Sequence, residues 1–201
     1  MESDQNDIRR VIFKYRSYAP IPFLVLMLIF ARPTLTSLIV GFCIVALGEG
    51  IRFWGVSIAG SETRTTGNVG GTYLITNGPF AFVRNPLYVG NMLLYAGVGV
   101  MSMALFPWML IAAIVWFYVQ YHLIVTREEE YLAATFGDAY EHYRKNVGRF
   151  IPRPTKYVSP TPPSKSVSVG VGLASEKRTL QAIGIVTTLL IVMYFIQQTP
   201  G

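Results

Sequence analysis

Residues 87–126, LYVGNMLLYAGVGVMSMALFPWMLIAAIVWFYVQYHLIVT, contain two apolar runs that lack Asp, Glu, Lys and Arg entirely. The runs are Leu87–Phe106 and Trp108–Thr126, and each has about the 20 residues that a helix needs to cross a bilayer. Only Pro107 separates them, and proline does not continue an α-helix. The stretch therefore predicts two antiparallel membrane-spanning helices joined by a very tight turn.

Further apolar runs lie on both sides of this hairpin: Tyr18–Ala31, Leu35–Ala59 and Leu180–Ile196. The first of them is short and contains Pro20 and Pro22, so it spans a membrane only if it recruits neighbouring residues. Charged residues make up 14% of the chain, whereas soluble domains carry about 25%. We therefore predict an all-α integral membrane helical bundle with about five transmembrane helices.

The basic residues indicate how the bundle is oriented. If the N-terminus is cytoplasmic and every run spans the membrane, only Arg32 of the 17 Lys and Arg residues falls outside. Cytoplasmic segments of membrane proteins carry this excess of positive charge. The net charge of +6 is therefore explained by orientation and gives no reason to expect nucleic-acid binding. We expect a bacterial inner membrane, with the endoplasmic reticulum as the alternative, and a cytoplasmic active site.

A further helix is predicted on the cytoplasmic side. Over Thr126–Val147, apolar and aromatic residues recur at helical spacing with charges between them, which is typical of an amphipathic helix on the membrane surface. Thr126 and Glu129 have the spacing of a capping box, which would mark its first turn. The same residues are equally compatible with a helix that continues from the preceding span.

Composition divides the chain into three parts. Residues 1–152 hold four spans and form the membrane core with its cytoplasmic cofactor site. Residues 153–178 are rich in Pro, Ser and Thr and predict a flexible cytoplasmic linker. Residues 179–201 form an appended C-terminal transmembrane helix, which could pack against a second copy of the chain in a homo-oligomer.

Connectivity brings polar groups together at the cytoplasmic end of the hairpin. Gly78–Gly90 leads into its first helix and Arg127–Glu130 leaves its second, so the two segments must be neighbours. Arginine binds carboxylates through a bidentate fork, and glutamates bind ammonium groups and ribose hydroxyls, so this combination suits S-adenosylmethionine. The alternative is that the glutamates begin a solvated helix, where acids favour the helix dipole, and that Arg84 only anchors the topology.

The same two segments carry an ordered motif. The pattern Gly-Pro-aromatic-x-x-Val-Arg-x-Pro-x-Tyr-x-Gly is followed by the hairpin and then by Glu-Glu-x-x-Leu-x-x-x-Phe-Gly-x-x-Tyr-x-x-Tyr-x-x-x-Val-x-Arg-x-Ile-Pro. From Gly78 to Pro152 the chain resembles the isoprenylcysteine carboxyl methyltransferase family and the related phospholipid N-methyltransferases. The resemblance implies S-adenosylmethionine as the cofactor, held by Arg84, Asn85, Pro86, Tyr88, Gly90, Glu128, Glu129 and Tyr140.

Asn85 departs from the family pattern, which commonly has histidine at this position. Asparagine donates and accepts hydrogen bonds but cannot carry charge. A contact with the cofactor therefore survives the change, whereas a role in proton transfer does not.

The acceptor of the methyl group is predicted to be a lipophilic or small molecule: a prenylcysteine carboxylate, a lipid amine or a thiol. We expect Arg149 to hold an acceptor carboxylate, with Arg144 as the second candidate. Glu49 and Arg52 lie inside a predicted span, where ionisable residues usually face the bundle interior and are often functional. We therefore expect one of these two residues to line the acceptor pocket. With one cysteine and two histidines, no metal site is expected.

Two other functions fit the sequence. Membrane sterol reductases resemble the family around the Arg-x-Pro-x-Tyr-x-Gly segment and use a nicotinamide cofactor. A non-catalytic membrane scaffold would keep the fold without activity, and Asn85 favours that alternative. The glycine-rich segment Gly67–Gly71 lacks the Gly-x-Gly-x-x-Gly pattern and a flanking βαβ unit, so we interpret it as a loop.

Overall fold

The computed structural model describes residues 12, 15, 16, 18–60, 73–160 and 167–199 of the chain. Within these residues it contains six α-helices, a short 3₁₀ helix at Gly78–Ala81 and no β-strand. The α-helices are α1 (Pro20–Ile29), α2 (Leu35–Ala59), α3 (Pro86–Ser102), α4 (Trp108–Phe136), α5 (Asp138–Asn146) and α6 (Val169–Gln198). The predicted all-α class is confirmed, and the predicted loop at Gly67–Gly71 lies outside the described residues.

Helix length limits which elements can cross a bilayer. Among the described helices, α2, α4 and α6 are long and apolar enough to do so, and the chain is an integral membrane protein. The 10 residues of α1 and the 17 of α3 extend only about 15 and 25 Å at 1.5 Å per residue. The sequence predicted five spans, because apolar composition extends beyond the ends of both shorter helices.

The turn of the hairpin is longer than predicted. Helix α3 ends at Ser102, and the connection to α4 comprises residues 103–107 rather than Pro107 alone. Met103 and Leu105 have positive φ angles of 51° and 45°, which an α-helix does not accommodate. The apolar residues of this turn therefore extended the predicted span to Phe106 without being helical.

Glycines bring α3 against α2. A Cβ atom added to Gly97 would lie 2.7 Å from the carbonyl oxygen of Gly41, and one added to Gly90 would lie 2.7 Å from that of Gly48. Small residues permit such backbone contact between membrane helices. Helix α3 accordingly packs more extensively on α2 than on α4, its partner in the predicted hairpin.

Helix α4 continues past the predicted boundary at Thr126. The Thr126 hydroxyl donates to the carbonyl oxygen of His122 at 2.8 Å, so this residue lies inside a helix and does not cap one. The break comes at Gly137, whose φ angle is +51°. Of the two predicted alternatives, the continuous helix is confirmed, and α5 follows it as a separate short helix. The expected apolar face is formed by Leu132, Phe136, Tyr140, Tyr143 and Val147.

Helix α6 is neither detached nor preceded by a linker of the predicted length. It begins at Val169, although residues up to 178 were predicted to be linker. The backbone N–H of Ser168 donates to the carbonyl oxygen of Ser57 at 2.8 Å, and a Cβ on Gly172 would lie 3.1 Å from the Phe53 ring. Ser168 and Gly172 thus contact α2, although the abundance of Pro, Ser and Thr in this part of the chain had predicted a flexible linker.

Candidate active site

A cavity of about 410 Å³ lies among α2, the start of α3, the end of α4, α5 and the first turns of α6. Sites for small molecules and cofactors usually measure about 300–1,000 Å³. The residues predicted to bind a cofactor that line this cavity are Arg84, Asn85, Pro86, Tyr88, Glu128, Glu129 and Tyr140. One predicted residue does not line it, since Gly90 faces Gly48 and the aliphatic part of Arg52.

One carboxylate, that of Glu129, is held between two arginines. The Nε and Nη2 atoms of Arg84 lie 3.0 and 2.9 Å from its Oε1 atom, and Nη2 of Arg149 lies 2.5 Å from Oε2. Arg84 also donates to the carbonyl oxygens of Arg144 and Val147, at 2.9 and 2.5 Å. We call Arg84, Glu129 and Arg149 the Glu129 cluster. Its geometry confirms that the segments on either side of the hairpin are neighbours.

The backbone explains why these side chains meet. The N–H of Arg84 donates to the carbonyl oxygen of Gly148 at 2.8 Å, and the N–H groups of Arg153 and Tyr157 donate to Phe82 and Ala81 at 2.9 Å. The two halves of the sequence motif are therefore joined by main-chain hydrogen bonds. Residues 153–157, predicted to begin a flexible linker, are part of this connection.

Tyr88 and Glu128 form a second polar pair in the cavity wall. The Tyr88 hydroxyl donates to Oε1 of Glu128 at 2.7 Å, and its ring packs against that of Tyr121 with centroids 4.8 Å apart. Tyr88 is on α3 and Glu128 on α4, so this pair links the ends of the two helices that lie away from the turn. Both side chains line the cavity, so the pair lies within reach of a bound ligand.

Two tyrosines of α5 differ in what their hydroxyls contact. Tyr143 donates to the carbonyl oxygen of Phe80 at 2.6 Å. Tyr140 is only 1% exposed, and its hydroxyl has no hydrogen-bond partner in the described part of the chain. Burial raises the pKa of Tyr140 and of Tyr143 above the usual value near 10. Both phenols therefore stay protonated at neutral pH, and Tyr140 keeps a donor for a ligand.

A second ion cluster joins α2 to α6. Nη2 of Arg52 lies 2.9 and 2.7 Å from Oε1 and Oε2 of Glu176, its Nη1 donates to Oδ1 of Asn91, and its Nε lies 3.5 Å from Oε2 of Glu49. We call Glu49, Arg52 and Glu176 the Arg52 cluster. The sequence predicted the pairing of Glu49 with Arg52 but missed Asn91 and Glu176. The sequence did contain a signal for Glu176, because it is the only acidic residue of α6.

Of the residues predicted to act on the acceptor or to line its pocket, only Arg52 lines the cavity. Arg149 is held by Glu129 and by Thr126, whose Oγ1 lies 3.1 Å from its Nη1. Arg144 forms a surface ion pair with Glu141 at 2.9 Å and is half exposed, because α5 turns this side chain toward solvent. Glu49 is buried behind Arg52, which does line the cavity.

No group of three or more His, Cys, Asp or Glu side chains in the described ranges is arranged to hold a metal ion.

Comparison with known proteins gives matches to the same region. A family model described as phospholipid methyltransferase matches residues 36–139, just over half of the chain. Protein-S-isoprenylcysteine O-methyltransferase of Schizosaccharomyces pombe is 37% identical over 79 residues, which is 39% of this chain and 33% of that protein. The cobalt-zinc-cadmium resistance protein of Cupriavidus metallidurans is 32% identical over 84 residues, or 42% and 38%. The matched part thus spans 33% and 38% of the length of these relatives.

Proposed function

Because the chain belongs to the phospholipid methyltransferase family, we propose that it is an S-adenosylmethionine-dependent methyltransferase that acts at the membrane. The acceptor we propose is a lipophilic or small molecule, of which a prenylcysteine carboxylate is the first choice. The isoprenylcysteine methyltransferase relative supports this choice.

The observation that carries the proposal is the buried hydroxyl of Tyr140 in the wall of the cavity, which has no hydrogen-bond partner among the described residues. Buried polar groups are almost always hydrogen-bonded, so a protonated donor without a partner points to a ligand with an acceptor atom. The amino-acid head, ribose and adenine of S-adenosylmethionine offer such atoms. Glu128 supplies the complementary charge, because a carboxylate binds an ammonium group or ribose hydroxyls.

S-adenosylmethionine supplies a methyl group activated by a sulfonium charge. The protein's part is to bind, orient and exclude water, which can account for a large share of the rate acceleration. In this proposal the Glu129 cluster positions the cavity wall, while Tyr88, Glu128 and Tyr140 contact the donor. A carboxylate acceptor is ionised at neutral pH and needs no general base.

The hydrogen bond of Asn85 is that of a residue that positions the cavity wall. Its Nδ2 atom donates to the carbonyl oxygen of Arg149 at 3.1 Å, so it helps to hold the segment after α5 against the start of α3. That task needs a neutral donor and no proton transfer. We therefore assign Asn85 a positioning role in a catalytic protein, in preference to the scaffold alternative.

We also propose the location of the reaction. The cavity lies at the end of the bundle where basic residues concentrate, which supports a cytoplasmic opening for the water-soluble donor in a bacterial inner membrane. A lipophilic acceptor would reach the same cavity from the bilayer, between the helices.

Calorimetric titration of the purified protein in detergent tests the proposal. We expect S-adenosylhomocysteine to bind at one site and NADPH not to bind. A screen with labelled S-adenosylmethionine should then transfer methyl groups to a prenylcysteine, an amine lipid or a thiol. Binding of NADPH alone would favour the reductase, and a folded protein that binds neither compound would favour the scaffold.

A further inference from the structure

We propose that Arg52 is the anchor of a carboxylate-binding subsite in the cavity, and that Glu176 of α6 fills this subsite until a ligand carboxylate replaces it. The proposal rests on the proposed function and names a chemical group that the cavity recognises. It also gives α6, which lies outside the segment matched by the family model, a part in ligand binding.

The contacts of Arg52 are those of a carboxylate site. Both oxygens of Glu176 lie within hydrogen-bond distance of its Nη2 atom, at 2.9 and 2.7 Å. Asn91 accepts from Nη1 and orients the guanidinium. All three side chains line the cavity, so a carboxylate on a bound molecule can reach the position that Glu176 now holds. Arginine binds carboxylates with such paired hydrogen bonds.

The polar atoms of the Arg52 cluster are not all hydrogen-bonded to other described residues. Both carboxylate oxygens of Glu49 and the Nε atom of Arg52 are buried and make no hydrogen bond within the described residues. Two acids share one arginine, and buried charges are stable only when fully paired and hydrogen-bonded. The cluster therefore lacks the complete pairing that would fix Glu176 in place, and exchange of one carboxylate for another leaves its formal charge unchanged.

The packing of α6 permits the exchange. Of its 30 residues, only Gly172, Glu176 and Leu190 are buried, so most of the helix faces outward. Glu176 itself is 2% exposed, and its hydrogen bonds within the described chain go to Arg52. Glu176 lines the cavity, so rotation of its side chain within this space would free the guanidinium while the contacts of Gly172 with α2 stay in place.

Two molecules of the proposed reaction carry a suitable carboxylate: the methyl donor, through its amino-acid head, and a prenylcysteine acceptor. Two ligand pairs separate these sources. S-adenosylhomocysteine is compared with its carboxamide, which keeps the ammonium group and lacks only the carboxylate. N-acetyl-S-farnesylcysteine is compared with its amide. For each pair, the ratio of the two dissociation constants measures the preference for a carboxylate.

The test is the variant Glu176→Gln, measured by calorimetry against wild type. Glutamine keeps the size of the side chain and removes the competing charge. We expect the carboxylate preference in one of the two pairs to rise about threefold to tenfold, because the apparent affinity is reduced by the fraction of molecules in which the subsite is filled. The matched control is Lys177→Gln, an exposed neighbour on α6, which should leave both ratios unchanged.

An unchanged or lower preference in both pairs would overturn the proposal and reduce the contact to a structural ion pair between helices. If Glu176→Gln does not fold, Glu176→Asp shortens the competing side chain and is judged by the same ratios. Failure of wild type to bind S-adenosylhomocysteine would overturn the proposed function itself. Binding with an unaltered carboxylate preference would overturn only the subsite.

Discussion

The Glu129 cluster and the Arg52 cluster both border the cavity, and their charges are opposite. The first places one carboxylate between two arginines, and the second places one arginine among two carboxylates. In the Glu129 cluster both carboxylate oxygens are bound, and Arg84 also binds two backbone carbonyls. In the Arg52 cluster both oxygens of Glu49 remain without a hydrogen bond among the described residues.

This difference separates a structural site from one that can exchange partners. A fully bonded ion cluster joins segments distant in the chain and loses stability when any member is removed. An incompletely bonded cluster beside a cavity has donors to offer a ligand. The positions of the two clusters agree with their hydrogen bonding. The Glu129 cluster joins the two halves of the sequence motif, whereas the Arg52 cluster joins the core to the outward-facing α6.

The largest effect should come from removing one carboxylate charge from each cluster in turn and comparing the losses of stability. We expect Glu129→Gln to lower the free energy of unfolding by about 3–5 kcal/mol, because it leaves two arginines facing each other without a counter-charge. We expect Glu49→Gln to change it by less than about 1 kcal/mol, since the Glu49 oxygens make no hydrogen bond to any described residue. Denaturant unfolding in detergent measures both. Equal losses would remove the distinction between the clusters.

A smaller effect is expected from a substitution at the close glycine contact between α2 and α3, which lies beside Arg52. A Cβ at Gly90 would lie 2.5 Å from Cγ of Arg52 and 2.7 Å from the oxygen of Gly48. Gly90→Ala should therefore cost about 1–3 kcal/mol of stability through overpacking. Gly50→Ala is the matched control on α2, because a Cβ there meets no atom within 4 Å. Equal stability of the two variants would contradict the close contact.

Two tyrosine variants test which hydroxyl stabilises the fold and which one binds the ligand. Tyr143→Phe removes a bond to Phe80 and should lower stability by about 1 kcal/mol. Tyr140→Phe removes a hydroxyl that has no partner in the described ranges, so stability should hold while the affinity for S-adenosylhomocysteine falls roughly fivefold. Thermal unfolding and calorimetry measure the two quantities. A stability loss confined to Tyr140→Phe would reverse the assignment.

The smallest effect concerns pH. Burial raises the pKa of Tyr140 and Tyr143 in the folded protein, so the unfolded chain releases these protons first, near pH 10. Their contribution to stability is complete below that pH and declines above it. From pH 7 to 9 we expect these phenols to change the unfolding free energy by less than about 0.5 kcal/mol. A tyrosinate absorbance band in the folded wild type at pH 9, absent from the double phenylalanine variant, would contradict this.

Local sequence patterns were sufficient to predict several features of the chain. Apolar runs of membrane length predicted an all-α bundle, since a bilayer requires every backbone group to bond within its own helix. The order of the hairpin and its flanking motifs placed Arg84 close to the carboxylates at the end of α4. The spacing of Glu49 and Arg52 predicted their pairing, because residues three apart share one face of a helix.

The tertiary structure decided what these residues do. It pairs Arg149 with Glu129, turns Arg144 to the surface and brings Glu176 of α6 to Arg52. The contacts of Arg149 and Glu176 have no sequence periodicity, because each joins separate elements. The relative rotation of such elements depends on contacts such as that of Gly172 with Phe53. The sequence determines which helices form and which charges they carry; only the packing of the helices determines which charges meet.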